Sequence, residues 1–322
     1  MVNTGNGKVN PRELRRMLVD PRVDAAELQR LLVIDERSRH CFDPIIRANP
    51  DTVDTTTMAN EGEIGGINRL ARIRRRLQYR LKVNNPLFSG QKIVSEGDSW
   101  FQFPLLLADV IDQLFNPFDW FDGYAVFSLG EAGDLLQNII NEDEITQAIE
   151  AEKPEVFLIS GGGNDLVADG NLANFLNQFE PGLKAADYPK EEFDQFLEEI
   201  IQLYRGLFLH LLSRFPRLKI ICHGYDYGIP NNGVSLGQPM ATRGITDQGL
   251  QKEILRVIMD RFNEAQIRLV ENVEFSGRVF HVDCRNVVGD DNWFDELHPN
   301  NTGFQAVGKL FDQKIREITG RR

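Results

Sequence analysis

A serine, a histidine and an aspartate in this 322-residue chain have the types and spacing that nucleophilic catalysis requires. A serine hydroxyl attacks a carbonyl effectively only when a base takes its proton, and His298 is the best base available for Ser99. Asp295 precedes His298 by three residues, close to one helical turn. Its carboxylate can therefore hydrogen-bond one imidazole nitrogen and leave the other facing the serine. The sequence predicts Ser99 as nucleophile, His298 as base and Asp295 as the residue that orients the base.

The same reaction needs hydrogen-bond donors for the negative oxygen that forms when an ester carbonyl is attacked. Three donors are predicted: the backbone N–H of Ser99, the backbone N–H of Gly133 and the side-chain amide of Asn164. Glycine suits a position where the backbone approaches a substrate closely. Asparagine supplies a neutral donor, which a carboxylate cannot. These residues form the predicted oxyanion hole.

Elements that alternate along the chain must position these residues. Short, continuously apolar runs predict buried parallel strands at 92–96, 125–129, 156–160, 218–223 and 279–282. Helical patterns lie between and after them at 104–115, 134–150, 190–215, 246–273 and 302–320. This alternation predicts an α/β fold, a flavodoxin-like three-layer α/β/α sandwich with a five-stranded parallel sheet. Ligands bind beyond the carboxyl ends of such strands, which is where the candidate residues fall.

Four short blocks carry a resemblance to a known family. GDS at 97–99, the glycine of GEAGD at 130–134, GGGND at 161–165 and DELHP at 295–299 resemble, in order, the blocks of the SGNH (GDSL-type) hydrolases. The resemblance covers roughly residues 90–320. It implies a flavodoxin-like fold, the site roles predicted above and no metal or organic cofactor. It also implies a serine esterase, which in this family includes lipases, thioesterases and carbohydrate acetylesterases.

The sequence predicts the reaction in more detail than it predicts the substrate. Candidate substrate contacts are the aromatic residues near the predicted site, namely Trp100, Tyr225, Tyr227, Trp293 and Phe294. Trp100 stands where leucine is more usual in the family. The segment 225–249 is rich in glycine, proline and asparagine, and it is interpreted either as a lid over the site or as a surface excursion. The acyl length and the alcohol stay open, and a small-molecule, lipid or glycan ester is the expected partner.

Two other functions are compatible with parts of the pattern. A metal-dependent phosphoesterase would use Asp98, Asn164, Asp165 and His298 as ligands, although this set lacks the usual ligand pairs. A non-catalytic binding module would keep the fold without the reaction. His223, at the end of a predicted strand, is a candidate neighbour of the site.

The chain is predicted to divide at a turn-forming cluster near residues 84–90, giving a helical, basic extension (1–88) and an SGNH-type hydrolase domain (89–322). Helices are expected after Asn10, from about Asp24, and over 67–82. The extension carries 16 Lys/Arg against 11 Asp/Glu, and the remainder 20 against 37, which argues against a nucleic-acid partner. In the extension, the arginines of the predicted helix 67–82 predict a solvated helix face, and contact with an anionic surface or a protein is the alternative. These residues are Arg69, Arg72, Arg74, Arg75, Arg76 and Arg80.

Composition favours a cytoplasmic location. The first residues are polar and lack the apolar core of a signal peptide, and no apolar run is long enough to span a bilayer. Cys41, Cys222 and Cys284 are a sparse, odd set that predicts no disulfide framework. Export by a non-classical route stays open.

Overall fold

The protein's structure is a computed structural model that describes residues 7–35, 45–56, 58, 64, 66–115, 121–141 and 143–321. Its strands are β1 (Leu32–Ile34), β2 (Ile46–Ala48), β3 (Gln91–Gly97), β4 (Tyr124–Ser128), β5 (Val156–Ser160), β6 (Lys219–Gly224) and β7 (Val279–Asp283). Its helices are α1 (Pro11–Val19), α2 (Ala25–Arg30), α3 (Ile67–Val83), α4 (Val110–Leu114), α5 (Leu136–Asn141), α6 (Glu144–Glu152), α7 (Gly163–Val167), α8 (Glu191–Arg214), α9 (Gly237–Thr242), α10 (Gln248–Val270) and α11 (Asn301–Thr319). Short 3₁₀ helices cover Ala168–Phe175, Ala185–Asp187, Val273–Phe275 and Asp290–Asn292.

The main sheet has five parallel strands in the order β4-β3-β5-β6-β7. Numbered along the chain within this sheet, the order is 2-1-3-4-5, the flavodoxin-like arrangement. The predicted fold class is therefore confirmed: helices cover a parallel five-stranded sheet, as in the SGNH hydrolase fold. The strand order reverses between β3 and β5, so the crevice for a ligand is expected beyond their carboxyl ends.

The central strands β3, β5 and β6 were predictable because nearly all of their residues are buried on both faces. Val156, Phe157, Leu158 and Ile159 of β5 are all fully inaccessible to solvent, which requires a continuous apolar run rather than an alternating one. The long helices α8, α10 and α11 match the predicted spans to within three residues at each end. Cys222 and Cys284 are buried free thiols, whereas Cys41 lies outside the described residues.

Two predicted helices differ from the structure. The span 104–115 is helical only over α4, because the Asp109 carboxylate caps that helix through the backbone N–H of Ile111, at 2.9 Å. Asp109 also accepts the N–H of Phe103, at 2.7 Å, which holds the preceding residues in turns. The predicted span 134–150 is divided into α5 and α6.

The residues before β3 form a small apolar core of their own, to which α1, α2 and the antiparallel β1–β2 pair contribute. The expected helix starts are confirmed, since Asn10 and Asp24 cap α1 and α2 through their side chains. Sequence patterning named no strand in this region. The division at residue 88 stays a prediction.

Helix α3 buries two of the arginines that were expected in solvent. Its guanidinium groups at Arg74 and Arg75 are buried, whereas Ile73, Leu77 and Leu81 are 36–44% exposed. The prediction of a solvated arginine face is therefore wrong for Arg74 and Arg75. The physical reason is that acidic and carbonyl groups of the chain compensate the buried charge, as with Arg75 and Asp109 at 2.5 Å.

The more exposed arginines of α3 also form ion pairs within the chain. Arg72 pairs with Glu131 and Arg76 with Glu144, each at 2.7 Å. Contact of this helix with an anionic surface stays a prediction. Among the described residues, no helix is long and apolar enough to cross a membrane.

Candidate active site

The turn that follows β3 presents Ser99 at the reversal point of the sheet. Gly97 has φ 154°, and a Cβ there would lie 2.6 Å from the carbonyl oxygen of Ser160 on the neighbouring strand, so the turn requires glycine. Asp98 accepts the backbone N–H of Trp100, at 3.0 Å, which closes a tight turn around Ser99. Large apolar residues follow the serine directly because the chain turns back into the core there. Trp100 and Phe101 are 3% and 0% exposed.

Ser99, His298 and Asp295 form a continuous hydrogen-bonded chain. The Nε2 atom of His298 lies 2.7 Å from the Oγ atom of Ser99. On the other side of the ring, Nδ1 of His298 lies 2.8 Å from an Asp295 carboxylate oxygen. Residues 199 positions apart in sequence therefore meet directly. In the proposed tautomer, Nδ1 donates to Asp295 and Nε2 accepts from the serine hydroxyl.

The local loop around His298 fixes this geometry. The Asp295 carboxylate also accepts the backbone N–H groups of Leu297 and His298, both at 2.8 Å. Burial acts to raise the pKa of Asp295, but the charge of His298 and these hydrogen bonds outweigh burial and lower the pKa below its ordinary value. The indole Nε1 of Trp100 donates to the carbonyl of Leu297, at 3.1 Å. That contact ties the serine turn to the histidine loop.

Of the three predicted oxyanion donors, Ser99 and Asn164 follow the two strands that flank the reversal point, β3 and β5, and both line the cavity described below, whereas Gly133 lies in the loop after β4 and does not line it. In the described part of the chain, the backbone N–H groups of Ser99 and Gly133 have no acceptor. Asn164 is 3% exposed, and its Nδ2 donates one hydrogen to the carbonyl of Asp134, at 2.8 Å. The second amide hydrogen is available for a substrate oxygen. This bond brings the loop containing Gly133 next to Asn164.

A small cavity of about 50 Å³ opens at Ser99 and His298. Its polar lining residues include Ser99, Asn164 and His298, and most of its lining surface is apolar. The residues that line it are Asp98, Ser99, Trp100, Gly163, Asn164, Leu166, Val167, Tyr225, Asp226, Gly228, Leu236, Leu255, Met259, Leu297 and His298.

The five candidate substrate contacts fall in different places. Trp100 and Tyr225 line the cavity, whereas Tyr227, Trp293 and Phe294 do not. The Tyr227 hydroxyl donates to Asp260, at 2.6 Å, on the side of α10. Trp293 packs against Trp100 with ring centres 6.5 Å apart, and Phe294 is 41% exposed. The structure gives these last three residues no contact with the cavity.

A buried polar network lies beneath the serine turn. The sequence predicted His223 as a neighbour of the site and Tyr225 as a substrate contact, but it gave Ser160 no role. Ser160 Oγ donates to Asp98, at 2.7 Å, and lies 2.8 Å from Nε2 of His223. The hydroxyl of Tyr225 donates to the other Asp98 oxygen. Burial lowers the pKa of His223, and the nearby charge of Asp98 only partly opposes this effect. The lowered pKa keeps the imidazole ring neutral. The signal available in the sequence was the placement of Ser160, His223 and Tyr225 at strand ends.

Two further carboxylates support the site, and sequence reasoning assigned them no role. Asp226 accepts the backbone N–H groups of Asn286, Val287 and Val288, at 2.7–2.9 Å. Glu296 accepts several backbone N–H groups of the segment 231–237. Segment 225–249 is therefore an ordered wall of the site in which α9 forms, and not a loose excursion.

Of the residues that a metal-dependent phosphoesterase would use as ligands, Asp98, Asn164 and His298 line the cavity, whereas Asp165 does not. Asp98 accepts hydrogen bonds from Trp100, Ser160 and Tyr225, whereas Asp165 accepts the N–H of Leu136, at 3.0 Å. Burial raises the pKa of Asp165. In the ranges that the structure describes, no three His, Cys, Asp or Glu side chains cluster in a way that would hold a metal ion.

Comparison with known proteins gives structural matches only. No protein-family model and no curated protein matches the chain. A family 3 carbohydrate esterase of Clostridium thermocellum matches with a TM-score of 0.43 and 14% identity, over 72% of this chain and 98% of that one. A family 3 carbohydrate esterase of Talaromyces cellulolyticus matches with a TM-score of 0.43 and 17% identity, over 71% and 99%. A lipase/acylhydrolase of Enterococcus faecalis matches with a TM-score of 0.40 and 18% identity, over 72% and 96%. Matches with such low scores and identities do not indicate a function, so the geometry of the site is the basis for the function proposed below.

Proposed function

We propose that this protein is a serine hydrolase of the SGNH type that cleaves carboxylic esters through an acyl-enzyme. One observation carries the proposal: Ser99 Oγ lies 2.7 Å from His298 Nε2, while Asp295 holds the opposite ring nitrogen at 2.8 Å. This is the arrangement in which a histidine activates a serine hydroxyl. The adjoining cavity gives an ester access to both atoms.

The reaction follows from these positions. Ser99 Oγ forms a bond to the ester carbonyl carbon as its proton passes to His298 Nε2, and the carbonyl electron pair moves onto oxygen. When that pair returns, the bond to the alcohol oxygen breaks, and the alcohol takes the proton from His298. Water then attacks the acyl-serine in the same way, with His298 as base, and releases the acid and free Ser99.

The surrounding groups stabilise the charges that appear. Asp295 is ionised, because its pKa is lowered, and it stabilises the imidazolium that forms in each half-reaction. The backbone N–H groups of Ser99 and Gly133 and the Asn164 amide are the proposed donors to the oxyanion. Removing one such donor typically costs about 10²–10³-fold in kcat.

The test is covalent labelling combined with substitution of the nucleophile. A fluorophosphonate probe is expected to label the wild type at Ser99, and Ser99→Ala is expected to remove both labelling and hydrolysis of p-nitrophenyl acetate. Ser213→Ala is the matched control, since Ser213 lies on the exposed side of α8 and its hydroxyl donates to the carbonyl of His210. The control should label and turn over normally.

Two results would contradict the proposal. One is full turnover by Ser99→Ala, with circular dichroism showing that it is folded. The other is loss of wild-type activity in a metal chelator together with absence of labelling, which would favour the phosphoesterase alternative. Unchanged activity in the chelator is the expected outcome.

A further inference from the structure

One carboxylate joins the histidine loop to the opposite wall of the cavity. Glu296 is 3% exposed and lies between Asp295 and His298 in sequence. Its side chain accepts hydrogen bonds at 2.9–3.1 Å from backbone N–H groups of one segment, those of Asn231, Ser235, Leu236 and Gly237. We call residues 228–237 the Glu296 loop. Four donors on one carboxylate fix this loop more firmly than a surface loop of its composition would be held.

The Glu296 loop uses glycines to close on the carboxylate. A Cβ at Gly228 would lie 2.2 Å from the carbonyl oxygen of Glu296, and one at Gly233 would lie 2.2 Å from Oε2. A Cβ at Gly237 would lie 1.3 Å from the carbonyl of Asn231. Real side chains do not tolerate these separations, so the close approach of the loop to Glu296 depends on glycine at these positions.

The same loop forms part of the apolar wall of the cavity. Gly228 and Leu236 line it from the loop, while Leu255 and Met259 line it from α10. Leu236, Leu255 and Met259 are at most 7% exposed. This volume of about 50 Å³ is well below the roughly 300–1,000 Å³ of pockets that enclose drug-sized ligands. A small, largely apolar space of this kind favours a short acyl group, acetyl to butyryl, over an octanoyl chain.

The pocket suits the acyl part of an ester better than the alcohol. The acyl group stays bonded to Ser99 between the two half-reactions, so it can occupy a small pocket with little polar lining. The alcohol must leave after His298 protonates it, and water must then reach the same face. The departing alcohol and the entering water need a side of the active site that is open to solvent. The acyl group that stays on Ser99 instead needs a cavity wall that it can pack against.

We propose that esters of short acyl groups, acetyl to butyryl, are the substrate class, and that Glu296 is the positioning residue that sets this limit by holding the Glu296 loop against the cavity. The inference rests on the proposed function. Because Glu296 contacts backbone N–H groups of the wall and no reacting atom, its loss should change the fit of the acyl group more than the chemistry at Ser99.

The experiment measures kcat and KM for p-nitrophenyl acetate, butyrate, hexanoate and octanoate. In the wild type, kcat/KM should fall at least about tenfold from butyrate to octanoate, since a group that does not fit costs about tenfold or more. In Glu296→Gln, the octanoate-to-acetate ratio of kcat/KM should rise about tenfold, with KM for acetate changing more than kcat. Glu253→Gln, an exposed glutamate on α10, is the matched control and should keep the wild-type ratio.

A second pair of variants tests the contact itself. Gly233→Ala forces a Cβ against the Glu296 carboxylate, so it should relax the chain-length limit in the wild type. In the Glu296→Ala background, where that carboxylate is absent, the added effect of Gly233→Ala should be much smaller. Such non-additivity is expected only if the two residues act through one contact. If Glu296→Gln fails to fold, Met259→Ala enlarges the pocket without touching the loop and should also raise the octanoate-to-acetate ratio.

The outcomes separate this inference from the proposed function. Wild-type hydrolysis of octanoate as fast as acetate, abolished by Ser99→Ala, would overturn the short-acyl inference and leave the esterase in place. A Glu296→Gln variant that lowers kcat/KM equally for every ester, or changes none, would overturn the role of Glu296. Absence of labelling and of Ser99-dependent hydrolysis for all four esters would instead overturn the proposed function.

Discussion

Arg75 and Asp109 form a buried ion pair, 2.5 Å apart, between helix α3 and the chain that follows the candidate nucleophile. Arg75 also donates to Gln102, at 2.8 Å, and to the carbonyl of Phe101. Asp109 in turn accepts the N–H of Phe103, whose ring lies 4.8 Å from the ring of His298. A residue that precedes the predicted domain boundary therefore supports the segment next to the active site.

Replacing Arg75 by methionine is expected to destabilise the protein by about 3–5 kcal/mol, because it leaves the Asp109 carboxylate buried without its cation. Urea unfolding followed by circular dichroism would measure the loss. Arg80→Met is the matched control on the exposed side of α3 and should stay within about 0.5 kcal/mol of wild type. Equal stability of the two variants would show that α3 is not integrated with the sheet through this pair.

Tyr225→Phe is expected to weaken the support of the serine turn. The Tyr225 hydroxyl donates to the buried carboxylate of Asp98, whose other oxygen accepts Ser160 and the N–H of Trp100. Loss of one donor leaves a buried acceptor underused and should cost about 1–3 kcal/mol. We also expect kcat for p-nitrophenyl acetate to fall about tenfold, since a misplaced nucleophile loses orientation.

Tyr227→Phe provides the control for that measurement. The Tyr227 hydroxyl bonds Asp260 and its ring lies 4.2 Å from the guanidinium carbon of Arg256, away from the cavity. Its kcat should match the wild type. If both tyrosine variants keep full kcat, the Asp98 network does not position Ser99.

The parts of this structure that could be predicted from sequence are those encoded locally. A buried parallel strand needs a continuous apolar run, so β5 could be read directly from residues 156–160. Residues at the carboxyl ends of parallel strands meet at one edge, and this rule places Ser99 and Asn164 together without coordinates. The spacing of Asp295 and His298 is also local, because both lie in one turn.

The remainder depended on distant partners. The burial of Arg75 could not be predicted from the periodicity of α3, because Asp109 and Asp112 that compensate its charge lie 34 and 37 residues away. Likewise, Glu296 looks like an ordinary surface glutamate until the segment around Ser235 folds onto it from 61 residues away. Buried charges are tolerated only with such partners, and one sequence does not state which residues those are.

Asp295→Asn is expected to lower kcat for p-nitrophenyl acetate by about 10³–10⁴-fold, because the amide no longer fixes the tautomer or stabilises the imidazolium. Stability should change far less than activity. Asp291→Asn, an exposed aspartate four residues earlier, is the control and should keep wild-type kcat. Retention of more than a tenth of wild-type kcat by Asp295→Asn would show that this carboxylate does not orient the base.

His281 is expected to make the protein less stable in acid. Burial, with a smaller contribution from His223, lowers the pKa of His281 from 6.5 to about 3, and its Nε2 lies 3.1 Å from the amide oxygen of Gln266. Below pH 6.5 the unfolded chain takes up a proton at this residue, whereas the folded protein does not until about pH 3. The free energy of unfolding should therefore fall as pH decreases through this window, by about 1 kcal/mol between pH 7 and 5.5.

The variant His281→Gln removes this proton uptake while keeping a side chain able to donate to Gln266. Its free energy of unfolding should decline less steeply from pH 7 to 5.5 than that of the wild type, so the difference between the two proteins changes with pH. Urea unfolding at four pH values would measure that difference, and other titrating groups cancel because both proteins share them. A difference that is constant across the range would mean that His281 takes up its proton equally in the folded and unfolded states.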